Sequence, residues 1–475
     1  MNDSPKLFIG GEYVSASSAE IVRLINPATE EQIGSVVDSN AADVARAVGA
    51  ARDALPEWRN TTPERRGAYL TALAGVFDGR RDDMAALVSR HNGTVISRSR
   101  QSNAARPIDI YRYHGELSRS FPWESVVDTG SGSSAIVRRE PMGVVGAIVP
   151  WNAPQTLAAQ KLAPALLAGC TVVWKPSPET SMDAFLLSEM LNEVGVPPGV
   201  VNVVTGGRGT GQHVVGDPGI DKVSFTGSTA AGRAVAASCG QMLKPVTAEL
   251  GGKSAAVLLD DAPLDVFARS LIGTCLPNTG QVCYSCTRIL IYRNNVEEVV
   301  DVVLETIGRA AVGDPMDPRS EFGPLVSAAQ RARVEGYIQS GLDEGARLLL
   351  GGGRPAHLPV GFYVEPTVFI DVTPEMRIFR EEVFGPLLVI VPYDNDDDAV
   401  RLANDSSYGL GGSVFSRDLD RAKDIARRME TGSVLINGEQ RSERIPLYGY
   451  KDSGVGGDAS LAAYLNIKSI SGPRG

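Results

Sequence analysis

Val144-Val145-Gly146-Ala147-Ile148-Val149-Pro150-Trp151-Asn152 is the stretch on which the fold turns. Six residues without a polar interruption read as a strand buried on both faces, and such strands belong to parallel sheets covered by helices. The following chain keeps the alternation. Residues 155–167 read as a helix, Thr171-Val172-Val173-Trp174 as a strand, 180–194 as a helix, 200–204 as a strand and Lys222-Val223-Ser224-Phe225 as another. A sheet wound in this way binds nucleotides at the carboxyl ends of its strands. The glycines of Gly206-Gly207-Arg208-Gly209-Thr210-Gly211 fall between a strand and a helix. Their spacing is not Gly-x-Gly-x-x-Gly, so alone they support little.

A second alternating region runs from Lys253 to about Gly449, with strands at 255–259, 289–292 and 387–391 and helices at 263–273, 296–311, 328–345 and 399–404. Upstream, residues 7–37 read as short strands and turns, and 41–95 as helices whose apolar Val44, Ala47, Val48 and Ala51 share one face. Helix is expected to continue over 104–124. Gly130-Ser131-Gly132-Ser133-Ser134 is a flexible turn before an exposed strand at 135–140. The acidic run Asp394–Asp398 reads as a solvated helix start, where negative groups favour the positive end of the dipole.

With 475 residues the chain exceeds one small core and should form two or three domains. Its net charge of −10 and lack of a long basic run exclude nucleic acid and an anionic membrane as expected partners. Five cysteines, an odd number in a chain of this length, do not make a disulfide framework and point to a reducing, cytoplasmic compartment. The start Met1-Asn2-Asp3-Ser4-Pro5-Lys6 has no signal-peptide pattern, and Lys161, Pro164 and Gly169 interrupt the longest apolar stretch.

The chemistry centres on Gly280-Gln281-Val282-Cys283, which presents a thiol just ahead of the β-branched run Ile289-Leu290-Ile291-Tyr292. About thirty residues earlier stands Glu249-Leu250-Gly251-Gly252-Lys253, a carboxylate beside a flexible glycine pair. A thiol and a carboxylate can run covalent acyl chemistry without histidine. Together with Pro150-Trp151-Asn152, Lys175-Pro176, Phe225-Thr226-Gly227-Ser228 and Glu382-Val383-Phe384-Gly385-Pro386, these motifs follow in one order. In that order the chain resembles the aldehyde dehydrogenase superfamily from about Asn26-Pro27 to its end.

The resemblance implies an α/β fold: a Rossmann-like nucleotide-binding domain (1–118 and 142–250), an α/β catalytic domain (251–449) and a small β oligomerisation arm (119–141 and 450–475). It implies oxidation of a small-molecule aldehyde to the carboxylic acid with NAD(P), in a homodimer or homotetramer. Cys283 would be the nucleophile, its thiolate favoured by loop amides or a helix N-terminus. Asn152, with the backbone N–H of Cys283, would hold the thiohemiacetal oxyanion, and Glu249 would activate water against the thioester. For the cofactor, Lys175 would meet the adenosine ribose, Gly207 and Gly211 the adenine side, and Gly227 and Ser228 the pyrophosphate. Glu382 would bind the nicotinamide ribose, with Phe384, Trp151 and Leu250 around the ring.

Departures from the family pattern matter. Pro178 stands where NAD-preferring relatives often carry Glu, so NADP is compatible, while the lack of a second cation beside Lys175 favours NAD. Leu447 and Tyr448 depart from the family's Pro-Phe-Gly-Gly. Cys286 creates a Cys283-x-x-Cys286 pair that could form a reversible protective bridge; no metal is expected. Ala153, Leu157, Gln160, Val282 and Tyr284 map to the substrate tunnel and suit a medium aliphatic, terpenoid or aromatic aldehyde. Arg441 or Arg444, in the charged loop 439–444, could instead take the carboxylate of a semialdehyde. A CoA-acylating enzyme is disfavoured by Glu249. A cofactor-free cysteine esterase is disfavoured because His91, His114, His213 and His357 lie outside the motifs. A non-catalytic scaffold has no need of Cys283, Glu249 and Asn152 together.

Overall fold

A computed structural model describes residues 6–130, 133–442, 444–445, 447–457 and 460–473. Met1–Pro5 of the chain start, Ser131 and Gly132 of the flexible turn, Glu443 and Pro446 therefore lie outside the described residues. Five parallel strands form the middle of an eight-stranded sheet: Val144–Ile148, Thr171–Lys175, Val201–Val203, Lys222–Thr226 and Val246–Glu249. Taken in chain order as one to five, they lie side by side as 3-2-1-4-5. The order reverses between Val144–Ile148 and Lys222–Thr226, and a crevice opens at such a switch point. The hairpin Lys6–Ile9 and Glu12–Ser15 closes one edge, and the two-residue strand Gly454–Val455 runs antiparallel to Val246–Glu249 at the other.

The pleat divides the apolar side chains between two cores. Val145, Ala147, Val172 and Trp174 pack on one face, and Val144, Ile148, Val173 and Val223 on the other. Helix Pro154–Ala168 starts on a proline at its first turn and ends at Gly169, whose φ of 95° is left-handed. Almost all of it is buried, between the sheet and helix Arg106–Leu117. The second sheet has seven strands, centred on Ala255–Leu258, Arg288–Tyr292 and Leu387–Tyr393; all neighbours are parallel except the edge pair Arg347–Leu350 and Thr367–Ile370. It too carries a core on each face, Val257 and Leu290 against Ala256 and Ile289. Glu124–Asp128, Ser133–Pro141 and Leu465–Pro473 form a separate antiparallel sheet.

The helix expected over 104–124 is shorter: a π-turn spans Arg100–Ala105, the helix covers Arg106–Leu117, and a strand begins at Glu124. Pro122 cannot continue a helix, and Trp123 turns back so that its indole N–H donates to the Ser118 carbonyl at 3.1 Å. The glycine run 206–211 is not a loop throughout, because Gly209 and Gly211 already lie inside helix Arg208–Gly216. The acidic run does start a helix, Asp396–Asn404, capped by Asn395. Among the described residues no helix is long and apolar enough to cross a membrane.

Candidate active site

The two sheets meet across one cavity of about 580 Å³. Its floor is the loop leading into strand Arg288–Tyr292. Asn278, Thr279 and Gly280 all have φ between 51° and 73°, a tight left-handed turn. A side chain on Gly280 would strike the carbonyl of Gly385, so the loop lies directly against the Glu382–Pro386 segment. Gln281 is fully buried and braces the turn: its Oε1 accepts from Val326 N–H at 3.1 Å and its Nε2 donates to the Asn278 carbonyl at 3.2 Å. Cys283 emerges partly exposed into the cavity.

Asn152, just past the first central strand, lines the same cavity. Its Nδ2 donates one hydrogen to the Gln281 carbonyl at 3.0 Å, and its own carbonyl accepts from Asn278 Nδ2 at 3.0 Å. An amide nitrogen carries two hydrogens, so a second can point at a substrate oxygen beside the thiol. The thiol itself differs from expectation. Burial, then Glu382 and Glu249, push it up to about 12, and the backbone N–H groups of Cys283 and Tyr284 only partly offset this. The setting of this thiol thus favours its protonated form.

Glu249 ends strand Val246–Glu249 with a buried side chain, while its neighbours Leu250 and Gly251 line the cavity. The main chain here is fixed. Leu250 N–H donates to the Ser453 carbonyl at 2.8 Å, and Ser453 Oγ donates to the Gly251 carbonyl at 2.7 Å. The ion pair of Glu249 with Lys253 does not form, because the Lys253 ammonium is buried without a hydrogen-bond partner. The glycine pair has a steric role instead: a side chain at Gly251 would meet the Glu382 carboxylate, and one at Gly252 the Cys283 carbonyl.

Glu382 Oε1 accepts from Gly252 N–H at 3.0 Å, and burial raises this carboxyl to about 7. Phe384 sits at φ 61°, a strained setting for an aromatic residue, and meets Trp151 edge-on at 5.4 Å between ring centroids. Helix Ala328–Asp343 holds this segment. Gln330 Nε2 donates to the Phe384 carbonyl at 2.7 Å, and Arg333 Nη2 to the Glu382 carbonyl at 2.6 Å. Neither Gln330 nor Arg333 was expected from the sequence, and both line the cavity. On the other wall Gly227 and Ser228 open the helix Thr229–Gln241, where Ser228 Oγ accepts from Ala231 N–H at 3.3 Å.

Beyond the cavity, Lys175 ends its strand, buried, with its ammonium lowered to about 8 by burial against the pull of Glu179 and Asp38. Gly211 faces its side chain, and Gly207 N–H donates to Asp38 Oδ1 at 2.9 Å. A buried cation, a helix N-terminus, a half-buried carboxylate and an edge-on aromatic pair are thus gathered about the switch point. These donors and acceptors suit an extended dinucleotide: hydroxyls at Lys175 and Glu382, phosphates at Ser228, a flat ring beside Phe384.

All five tunnel residues inferred from the sequence, Ala153, Leu157, Gln160, Val282 and Tyr284, line the cavity, as does Arg441. Arg444 does not. Its guanidinium lies over the Tyr113 ring at 5.6 Å and 3.9 Å from Glu116. Arg98, Gln101 and Arg106 also line the far end; they come from the π-turn region, whose sequence carries no motif. All five cysteines are free thiols, so Cys283 and Cys286 are not bridged. Cys286 is buried in the apolar core beside Cys275. Among the described residues no cluster could hold a metal ion, and none of the four histidines lines the cavity.

The family profile described as the aldehyde dehydrogenase family matches residues 13–470. Geranial dehydrogenase from Castellaniella defragrans is 46% identical over 473 residues, covering 98% of each protein. A crystal structure of an aldehyde dehydrogenase from Mycobacterium tuberculosis complexed with NAD+ superposes with a TM-score of 0.96 at 43% identity, over 98% of this chain and 97% of that one. Aldehyde dehydrogenase C from Pseudomonas syringae, complexed with NAD+ and octanal, gives 0.95 at 38% identity, over 98% and 96%.

Proposed function

This chain belongs to the aldehyde dehydrogenase family, enzymes that oxidise aldehydes with NAD(P), and from that premise we propose a covalent route on Cys283 acting on a medium aliphatic, terpenoid or aromatic aldehyde. The observation that carries the reading is the single cavity shared by Cys283, Asn152, Glu382 and Phe384. The relatives named for geranial and octanal support an apolar substrate body, as do Leu157, Val282 and Leu447 in the lining.

The sulfur of Cys283 bonds to the aldehyde carbon as its proton passes to a base, for which Glu249, near enough to raise the thiol, is the candidate. The carbonyl oxygen becomes an oxyanion that receives the second Asn152 hydrogen and the Cys283 N–H. Such a donor lowers the barrier by about 3 kcal/mol. The chemistry a bound nicotinamide supplies is acceptance of the hydride, which converts the tetrahedral adduct into a thioester. Once Glu249 has passed that first proton to solvent, water attacks the thioester carbon and Glu249 takes a proton from it; the carbon–sulfur bond breaks, the sulfur recovers this proton from Glu249 and the carboxylic acid leaves. Ser453 fixes the main chain that follows Glu249 through its bonds to Leu250 and Gly251.

Lys175, Gly207, Gly211, Gly227, Ser228 and Glu382 would hold the cofactor, with Trp151, Leu250 and Phe384 packing at the nicotinamide end. Glu179 compensates for the missing carboxylate at Pro178. It acts on Lys175 together with Asp38, and a 2′-phosphate placed there would meet two negative groups, which favours NAD over NADP. The test is reduced-nicotinamide absorbance with NAD or NADP and a panel of aldehydes. We expect turnover with NAD that vanishes in Cys283→Ala. Ester cleavage without cofactor, or no nucleotide binding at all, would replace this reading with the esterase or the scaffold.

A further inference from the structure

Where the two sheets meet, three side-chain amides close a ring, each donating to the main chain of the next. Asn152 Nδ2 donates to the Gln281 carbonyl at 3.0 Å, Gln281 Nε2 to the Asn278 carbonyl at 3.2 Å, and Asn278 Nδ2 back to the Asn152 carbonyl at 3.0 Å. Asn152 follows strand Val144–Ile148 of the first sheet, and the other two precede strand Arg288–Tyr292 of the second, so the ring joins both. All three residues are buried, where an amide that loses its partner is costly. The peptide before Asn152 is held as well, because the buried Asn92 Nδ2 donates to the Trp151 carbonyl at 2.8 Å. Side chains from elsewhere in the chain thus fix both peptides that flank Asn152, and the Gln281 carbonyl fixes its amide. A primary amide is planar, so with its stem and one N–H held, the direction of the second N–H is held too. Asn278 itself sits at φ 51°, a setting that asparagine tolerates better than most residues.

We propose that Asn278 is a positioning residue for the reaction: through this ring it sets the direction of the second Asn152 hydrogen relative to the Cys283 sulfur. Gln281 lies two residues before Cys283, so the carbonyl that receives the first Asn152 hydrogen belongs to the loop that carries the thiol. Donor and nucleophile therefore share one frame although they come from different sheets. A donor aimed by the fold needs no reorganisation as charge develops on oxygen, and that is the source of its effect. Asn278 passes no proton and carries no charge; it acts on Asn152 by holding the carbonyl of that residue. This role rests on the reading that Asn152 donates to the oxyanion.

The experiment follows the first turnover of NAD reduction with octanal, by stopped-flow absorbance, in Asn278→Gly, Asn152→Ala and the double variant. Glycine keeps the left-handed backbone at this position and removes only the side chain. We expect Asn278→Gly to slow the first turnover about tenfold while the Kd for NAD and the KM for octanal stay within about twofold. In the Asn152→Ala background the same substitution should change the rate less than about twofold, because no amide remains to be aimed. Asn278→Asp also keeps the backbone setting but cannot donate when ionised, and it should repeat the result if glycine loosens the loop. Alkylation of Cys283 by iodoacetamide should keep its wild-type rate in both variants, which shows that the thiol has not moved. A wild-type first turnover in both Asn278 variants, or altered alkylation, overturns the positioning role and leaves Asn152 as the donor. An equal loss in both backgrounds also overturns it, because Asn278, which lines the cavity, would then act by itself. A wild-type rate in Asn152→Ala removes the oxyanion reading instead, and the positioning role with it.

Discussion

The two ends of the cavity are built by different means. At the cofactor end nearly every group is held through the main chain: Gly252 N–H on Glu382, Gln330 on the Phe384 carbonyl, Asp38 on Gly207 N–H, Ser453 on both sides of Leu250. At the far end long side chains meet other side chains, as Arg98 meets Tyr284 at 3.4 Å. Main-chain anchoring fixes reacting groups to fractions of an ångström, which chemistry requires. Side-chain walls can be rebuilt one residue at a time without moving a strand. The cofactor end therefore defines a reaction, and the far end defines which molecule undergoes it.

Substitutions can separate the two roles. The largest effect is expected for Cys283→Ala, a loss of roughly 10⁴-fold or more in turnover with NAD affinity retained, measured by absorbance and calorimetry. Loss of NAD binding as well would show that the thiol supports the fold of the cofactor end. Next comes Asn152→Ala, expected to lower kcat by about 10²- to 10³-fold across all aldehydes, acidic or plain. An effect confined to one substrate class would move Asn152 from the shared chemistry to the selective wall.

Acid separates fold from reaction. Burial lowers both His91 and His114 to about 4, from an ordinary 6.5. Their neutral forms are favoured in the folded chain, so the stability they contribute is present above pH 6.5 and is lost as pH falls toward 4. His114→Asn should flatten that loss by roughly 2–3 kcal/mol in urea unfolding series, while activity keeps its own profile. That profile should rise with pH through neutrality, because the Cys283 thiol is pushed up, and a profile falling above neutrality would contradict a protonated resting thiol. The smallest effect is expected for Gln330→Ala, which removes one bond to the Phe384 carbonyl, costs about 1 kcal/mol and raises the KM for NAD several-fold with kcat little changed.

The same division governs what could be read in advance. Val144–Ile148 and its companions were legible because burial on both faces leaves an unbroken apolar run, and the resulting sheet brings Asn152, Lys175, Ser228 and Glu249 to one edge. Cys283 and Glu382 were singled out because Gly280-Gln281-Val282-Cys283 and Glu382-Val383-Phe384-Gly385-Pro386 resemble family motifs, and the structure shows the tight packing at Gly280 and Gly251 that goes with them. Arg98 and Arg106 were not, since arginine in a helical stretch most often faces water and no motif marks helix Ile96–Ser99 or the start of helix Arg106–Leu117. Nothing in the Glu249 motif revealed that its side chain is buried. The upward shift of the thiol was not legible because it comes first from burial and then from Glu382 and Glu249, which the fold brings together.

One consequence concerns timing during synthesis. The Glu249 strand is bordered by Gly454–Val455 and pinned by Ser453, all within the last 23 residues of the chain. Cys283 and the strands of the second sheet all precede that clasp in the chain. A chain that reaches only the second sheet holds the Cys283 loop but lacks the Ser453 bonds on either side of Leu250.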